Sequence, residues 1–334
     1  MAEGWITDAP IQPDFVRFDE AFGKRFILTV DTEEEFDWTA PIARDTHSVD
    51  TIPNLRKFQQ FCEGMGVAPI YLIDYPIAAS PVAAEVLGDA VRAGRCEIGL
   101  QLHPWVNPPH LEEVSQANSF AGNLPRDLER AKLMELRDLV ERNFGIAPMI
   151  YRAGRYGAGA NTAELLREAG IAIDTSVRSL FDYSSSGGPN YREHPLHPYW
   201  VDRPAGLMEL PLTTVYWGPL RRIAPWLYPR LWREPRLRGL LSLAGLLERI
   251  PLTPEGVTSD EALRGVDAAI EQGLPLLVLS FHSPSLAPGH TPYVRNMNDV
   301  DALYDWWRQV LGRLAQRGVK PASVADVMSA AALA

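Results

Sequence analysis

The chain has few cysteines, no long uncharged apolar run and no excess of basic residues, and each shortage removes a class of protein. Two cysteines in 334 residues, Cys62 and Cys96, cannot supply a disulfide framework or a four-thiolate zinc site. They suit a reducing compartment, where a buried thiol behaves as a small hydrophobe. No stretch reaches the roughly 18 uncharged apolar residues of a membrane-spanning helix. The start, Met1-Ala2-Glu3-Gly4-Trp5, lacks a basic region followed by an apolar run, so the expectation is no signal peptide and a cytoplasmic address. With 32 Lys+Arg against 42 Asp+Glu the formal charge is −10, which excludes nucleic acid as the expected partner. No Gly-x-Gly-x-x-Gly follows the first apolar run, which argues against a dinucleotide site.

What is present is an alternation of short apolar runs and helical patterns. Strands are predicted over 26–31, 69–74, 96–103, 148–152, 171–177, 207–214 and 276–282, with a last short one over 319–324. Helices are predicted over 51–66, 80–94, 125–145, 161–170, 259–273 and 299–318. Seven or eight β-then-α units without a composition break point to one distorted (β/α) barrel over 25–330, preceded by an extension over 1–24. Between Tyr216 and Ile250 the chain carries seven arginines and two glutamates, with Trp217, Trp226, Tyr228 and Trp232 among them. That +5 island, inside a predicted insertion over 216–256, leaves the rest of the chain at −15. Three readings stay open for it: a packed insertion, a peripheral contact with an anionic membrane, or a substrate-binding element.

In a parallel barrel the strand ends share one face, and that face carries the chemistry. Here the ends read Val30-Asp31-Thr32-Glu33, Gln101-Leu102-His103, Tyr151-Arg152 and Ser280-Phe281-His282, with Asp174 and Glu209 on the fifth and sixth strands. Asp31 and Glu33 could share a metal and a base role, and His103 suits Zn²⁺ or a similar divalent ion. Arg152 could hold a carboxylate through paired hydrogen bonds, and His282 could protonate a leaving group. Together these are the parts of metal-assisted hydrolysis of an acyl or amide bond.

The ordered set Val30-Asp31-Thr32-Glu33, Glu97-Ile98-Gly99 leading to His103, Tyr151-Arg152-Ala153-Gly154 and Ser280-Phe281-His282 resembles the polysaccharide deacetylases with a NodB-homology domain (carbohydrate esterase family four). Glu33-Glu34-Glu35-Phe36-Asp37-Trp38 and Leu102-His103-Pro104-Trp105 resemble its WalW-like branch. The resemblance implies a distorted (β/α) barrel of seven or eight strands and a catalytic divalent metal, most often Zn²⁺. It implies Asp31 as general base, Arg152 as the residue orienting it, His282 as general acid and Asp174 as the group tuning His282. Glu33, His103 and Asn107 would be the metal ligands, with Asn107 standing where the family has a second histidine. Trp105, Arg155 and Tyr156 would contact the substrate, an N-acetylated sugar of a surface-polysaccharide precursor, with a lipid-linked form compatible with inner-membrane contact. Two other functions stay open: a cyclic-amide or ureido hydrolase, and a non-catalytic glycan-binding protein with a decayed metal site.

Overall fold

The structure, a computed structural model, describes residues 6–10, 14–232 and 234–332; Arg233 of the basic island and part of the expected N-terminal extension lie outside them. The strands are β1 (Arg25–Thr32), β2 (Ile70–Ile73), β3 (Glu97–Leu102), β4 (Ile150–Ala153), β5 (Ile173–Asp174), β6 (Tyr199–Asp202), β7 (Leu207–Glu209), β8 (Thr214–Trp217), β9 (Glu248–Pro251), β10 (Leu276–His282) and β11 (Lys320–Pro321). The helices are α1 (Asn54–Gly64), α2 (Tyr75–Ala79), α3 (Pro81–Arg92), α4 (Arg126–Phe144), α5 (Thr162–Glu168), α6 (Ala224–Arg230), α7 (Pro235–Leu243), α8 (Ser259–Glu271), α9 (Met297–Gln316) and α10 (Val324–Ala332).

The sheet runs β10-β1-β2-β3-β4-β5-β7-β6, parallel throughout except for the β6–β7 pair, with the short β11 beside the start of β1. It curls into a distorted barrel because most strands are covered on both faces, so their sequences are continuous apolar runs. Leu28, Val30, Leu277 and Leu279 meet the outer helices. Ile27, Leu72, Ile150 and Val278 fill the interior, where α10 adds Val327, Ala330 and Ala331. The helices start and stop where local chemistry says they should. Thr258 and Glu261 form a capping box on α8, and Gly145 ends α4 with φ 70°, a left-handed conformation that glycine adopts without strain.

The expected sixth strand over 207–214 does not run through. It stops at Glu209, and the chain re-forms as β8, which pairs antiparallel with β9 outside the barrel. Loop backbone fills the gap instead: the Thr213 N–H donates to the Val278 carbonyl at 3.1 Å, and the Leu252 N–H to the Thr213 carbonyl at 3.0 Å. The expected strand over 319–324 shrinks to two residues before α10 begins. The N-terminal segment covers the β6 edge through Val16 N–H to Pro198 and Trp200 N–H to Asp14, which hides an otherwise unpaired strand. His194, in the loop before β6, is buried and donates to the Ile6 carbonyl. Among the described residues no helix is long and apolar enough to cross a membrane.

One buried carboxylate makes the fold pH-sensitive. Glu129, on the inner side of α4, is 1% exposed. Its Oε1 accepts from the Thr162 hydroxyl at 2.6 Å, and its Oε2 has no partner. Burial pushes its carboxyl up to about 7, against the opposing Thr162 bond. Because the folded state holds the proton more tightly than the unfolded one, this contribution is whole below the unfolded value near 4.5 and is lost as pH rises through about 7. Glu129→Gln keeps an acceptor for Thr162 and removes the charge. It is expected to raise stability at pH 8 by about 1–3 kcal/mol and to flatten the pH dependence above pH 4.5. Denaturant midpoints that track wild type across that range contradict this.

Candidate active site

Strand register assembles the site. Asp31 of β1 lies beside His282 of β10, and Gln101 of β3 beside Arg152 of β4, so all four stand at the same end of the sheet. They open onto a cavity of about 400 Å³ whose wall includes Asp31, Glu33, His103, Glu255 and His282.

Arg152 is fully buried and has each donor group assigned. It bonds Asp31 Oδ1, the Thr175 carbonyl at 3.0 Å and the Thr29 hydroxyl at 2.9 Å. Those bonds fix one Asp31 oxygen and leave Oδ2 facing His282 Nε2 at 3.6 Å. His282 cannot turn away, because its Nδ1 is held by Glu255 at 2.7 Å. Glu255 also accepts from the His282 N–H at 3.1 Å and the Ser285 hydroxyl at 2.8 Å. Burial alone would lower the His282 pKa, but Glu255, Glu33 and Asp31 outweigh it and push it up to about 10, so the ring carries a proton at neutral pH.

His103 repeats the same construction on the other side. Its Nδ1 is held by Glu34 at 2.8 Å, and its Nε2 faces Glu33 Oε2 at 3.5 Å. Glu34 in turn accepts from the Trp105 indole at 2.9 Å, while its backbone N–H donates to Asp74 at 2.8 Å. Trp105 stacks on the His103 ring at 4.4 Å. Glu33 is buried with Oε1 unpartnered. Burial pushes its carboxyl up to about 8 against the pull of His282 and His103.

These donors fit a divalent cation. Glu33 keeps Oε1 unpartnered, its Oε2 lies 3.5 Å from His103 Nε2 and accepts from the Gln101 amide at 3.3 Å, and oxygen–nitrogen sets suit zinc and its neighbours. The ligand atoms of Glu34, Asp74 and His103 also lie within 4.8 Å of one another, a second group that could hold a metal ion. In that group Asp74 already caps α2 through the Ile77 N–H at 2.9 Å, and neither Asp74 nor Glu34 lines the cavity. Their bonds are those of a carboxylate shell that orients a histidine.

The structure brings together Asp31, Glu33, His103, Arg152 and His282, and it places Trp105, Arg155 and Tyr156 on the cavity wall. It does not bring Asn107 there. The Asn107 amide donates to the Lys132 and Pro108 carbonyls at 3.0 and 2.7 Å, anchoring the loop behind His103, so it is set against α4 and not beside Glu33. Nor does Asp174 reach His282. Asp174 accepts from Ser176 at 2.6 Å and pairs in register with Glu209. Burial raises both carboxyls, and Asp174 raises Glu209 further. Glu255 takes the position expected of Asp174. Glu34, Asp74 and Glu255 escaped the sequence reading, although Asp74 ends an apolar strand just as Asp31 does.

One glycine is fixed by this packing. A Cβ on Gly154 would lie 2.3 Å from His103 Cδ2 and 2.6 Å from the Leu102 carbonyl, closer than atoms can approach.

No family model matches the chain, and no curated protein sequence does. Solved structures resemble the chain's fold at low identity. One, assigned as a polysaccharide deacetylase from Mycobacterium smegmatis, is 17% identical with a TM-score of 0.47, over 94% of this chain and 98% of that one. A family 4 acetyl xylan esterase from Clostridium thermocellum, in complex with a cobalt ion, is 11% identical with a TM-score of 0.43, over 92% and 91%. A 4-alpha-glucanotransferase from Thermococcus litoralis is 15% identical with a TM-score of 0.46, over 91% of this chain and 38% of that one. The activities in this set differ, so the chemistry proposed for this chain rests on its own residues.

Gly154→Ala is expected to cost about 1–3 kcal/mol of stability through overpacking and to push the His103 ring away from Glu33. A variant structure with the ring unmoved, together with an unchanged unfolding midpoint, contradicts this.

Proposed function

We propose that the chain is a metal-dependent deacetylase that removes acetyl groups from an N-acetylated sugar of a surface-polysaccharide precursor. The observation that carries the reading is the Asp31–His282 pair: Arg152 holds one Asp31 oxygen and Glu255 holds His282 Nδ1, so that the other oxygen and Nε2 face each other. Base and acid are thus set on one cavity wall, each with a partner that holds its orientation. Asp31 Oδ2 takes a proton from the attacking water. His282 Nε2–H gives one to the departing amine. Glu33 and His103 Nε2 would hold the divalent cation, which when bound supplies Lewis-acid polarisation of the acetyl carbonyl. Phe36, Trp38, Trp105 and Tyr293 line the same cavity and offer flat apolar faces to a sugar ring. In the presence of Zn²⁺ the chain is expected to release acetate from N-acetylated oligosaccharides, and Asp31→Asn to lose about 10²–10⁴-fold of that rate. Full activity in the variant contradicts the role of Asp31. Turnover of cyclic amides in place of acetylated sugars contradicts the substrate.

The basic island supplies the proposed meeting place with the substrate. Of the 12 large apolar side chains exposed in the described chain, six fall between Ile223 and Leu246, including Trp226 at 59%, Leu240 at 62% and Leu243 at 87%. No residue of α7 is buried. Arg221, Arg222, Arg230 and Arg236 are exposed around them, and none has a carboxylate within 4.0 Å among the described residues. Apolar side chains ringed by unpaired arginines suit an anionic phospholipid surface, whereas a second copy would bring the same arginines together. The chain is expected to co-sediment with phosphatidylglycerol vesicles and not with phosphatidylcholine vesicles, and Trp226→Glu with Leu243→Glu to abolish it. Absence of binding to anionic vesicles, or dimerisation through this face without lipid binding, contradicts the proposal.

A further inference from the structure

Part of the cavity wall is cationic in a way the proposed reaction does not use. Arg155 and Arg178 both line the cavity. Among the described residues neither has a carboxylate within 4.0 Å, although most other arginines near the barrel are so paired. Aromatic rings and single hydroxyls support them instead. The Arg178 guanidinium lies 4.0 Å from the Phe181 ring centre and 5.1 Å from that of Tyr156, and Nη1 donates to the Tyr183 hydroxyl at 3.2 Å. The Arg155 guanidinium lies 4.4 Å from the Phe120 ring centre and donates to the Ser119 hydroxyl. Each guanidinium has five N–H donors, and one hydrogen bond per side chain leaves most of them open.

The backbone that presents Arg155 is strained. Arg155 and Tyr156 have φ of 56° and 61°, consecutive non-glycine residues in the left-handed region. Each costs of order 1 kcal/mol, and such strain gathers where a side chain must be aimed. Here it turns Arg155 and Tyr156 into the cavity just after Arg152. Stacking on rings fixes both guanidinium planes without neutralising them, and a planar, unneutralised guanidinium is the preferred partner of carboxylate and phosphate oxygens.

We infer that Arg155 and Arg178 form a subsite for an anionic group on the substrate, a carboxylate or phosphate carried by the sugar, in the same cavity as Asp31 and His282. This deepens the deacetylase reading by naming its substrate as an acidic or phosphorylated amino sugar. The subsite itself is testable by binding alone.

The test titrates the full chain without metal, following the change in intrinsic tryptophan fluorescence, to which Trp38 and Trp105 on the cavity wall contribute, with N-acetylglucosamine, N-acetylglucosamine 1-phosphate and glucuronate. At least one anionic sugar is expected to bind tenfold or more tighter than the neutral one. Preference for the phosphate or for the glucuronate identifies which anion the subsite takes. Arg155→Gln and Arg178→Gln are each expected to cut the anionic preference by about tenfold, and Arg178→Lys to restore part of it, with thermal melts confirming folded variants. Equal binding of neutral and anionic sugars overturns the inference, as does a preference that survives both Gln variants. Anionic preference without acetate release, after Zn²⁺ is added, sinks the deacetylase reading and leaves the subsite standing.

Discussion

The site depends on one constraint: a buried imidazole points where its other nitrogen is held. His103 and His282 come from opposite parts of the barrel and are tied through Nδ1 to Glu34 and Glu255. That leaves both Nε2 atoms facing the cavity, one toward Glu33 and one toward Asp31. Such outer carboxylates fix the tautomer and hold the ring. Arg152 does the equivalent for Asp31. Asp31, His103 and His282 thus each have a second, buried group that leaves them one useful orientation.

Concentrating this many acids in one place is costly, and the fold distributes that cost. Glu33, Glu34 and Asp74 all have their pKa raised by burial. Backbone N–H groups, an indole, two imidazoles and one guanidinium carry much of the compensation. What they leave over is the free Glu33 oxygen, the feature that most calls for a cation. Gly154 belongs to the same economy of space, since the His103 ring occupies the volume its side chain would need.

The barrel was legible because its strands are apolar on both faces and its helices carry caps and periodicity. Asp31, Arg152 and His282 were legible because each ends such a strand. The partners were less so. Glu33, Glu34 and Glu35 form one acidic run just past β1, and only the folded chain separates them: Glu33 to the cavity, Glu34 to His103, Glu35 to the Ser48–Thr51 backbone. Asp74 obeyed the strand-end rule and could have been read by it. Glu255 could not, because it sits in a loop after the basic island and reaches His282 only when β9 folds back on β8. Asn107 and Asp174 were read from spacing, which does not show that packing turns the Asn107 amide to the Lys132 and Pro108 carbonyls and Asp174 to Ser176.

The two candidate metal positions differ in which acid they require, and that difference tests the account most directly. Zn²⁺ stoichiometry and affinity, measured on wild type, Glu33→Gln and Glu34→Gln, separate them. If Glu33 and His103 Nε2 hold the ion and Glu34 only orients the ring, wild type binds one ion per chain. Glu33→Gln then loses most of the affinity, and Glu34→Gln weakens it about 10–100-fold. Retained affinity in Glu33→Gln, with affinity abolished in Glu34→Gln, would place the ion behind the histidine and contradict the arrangement of base, acid and ligands described for this cavity.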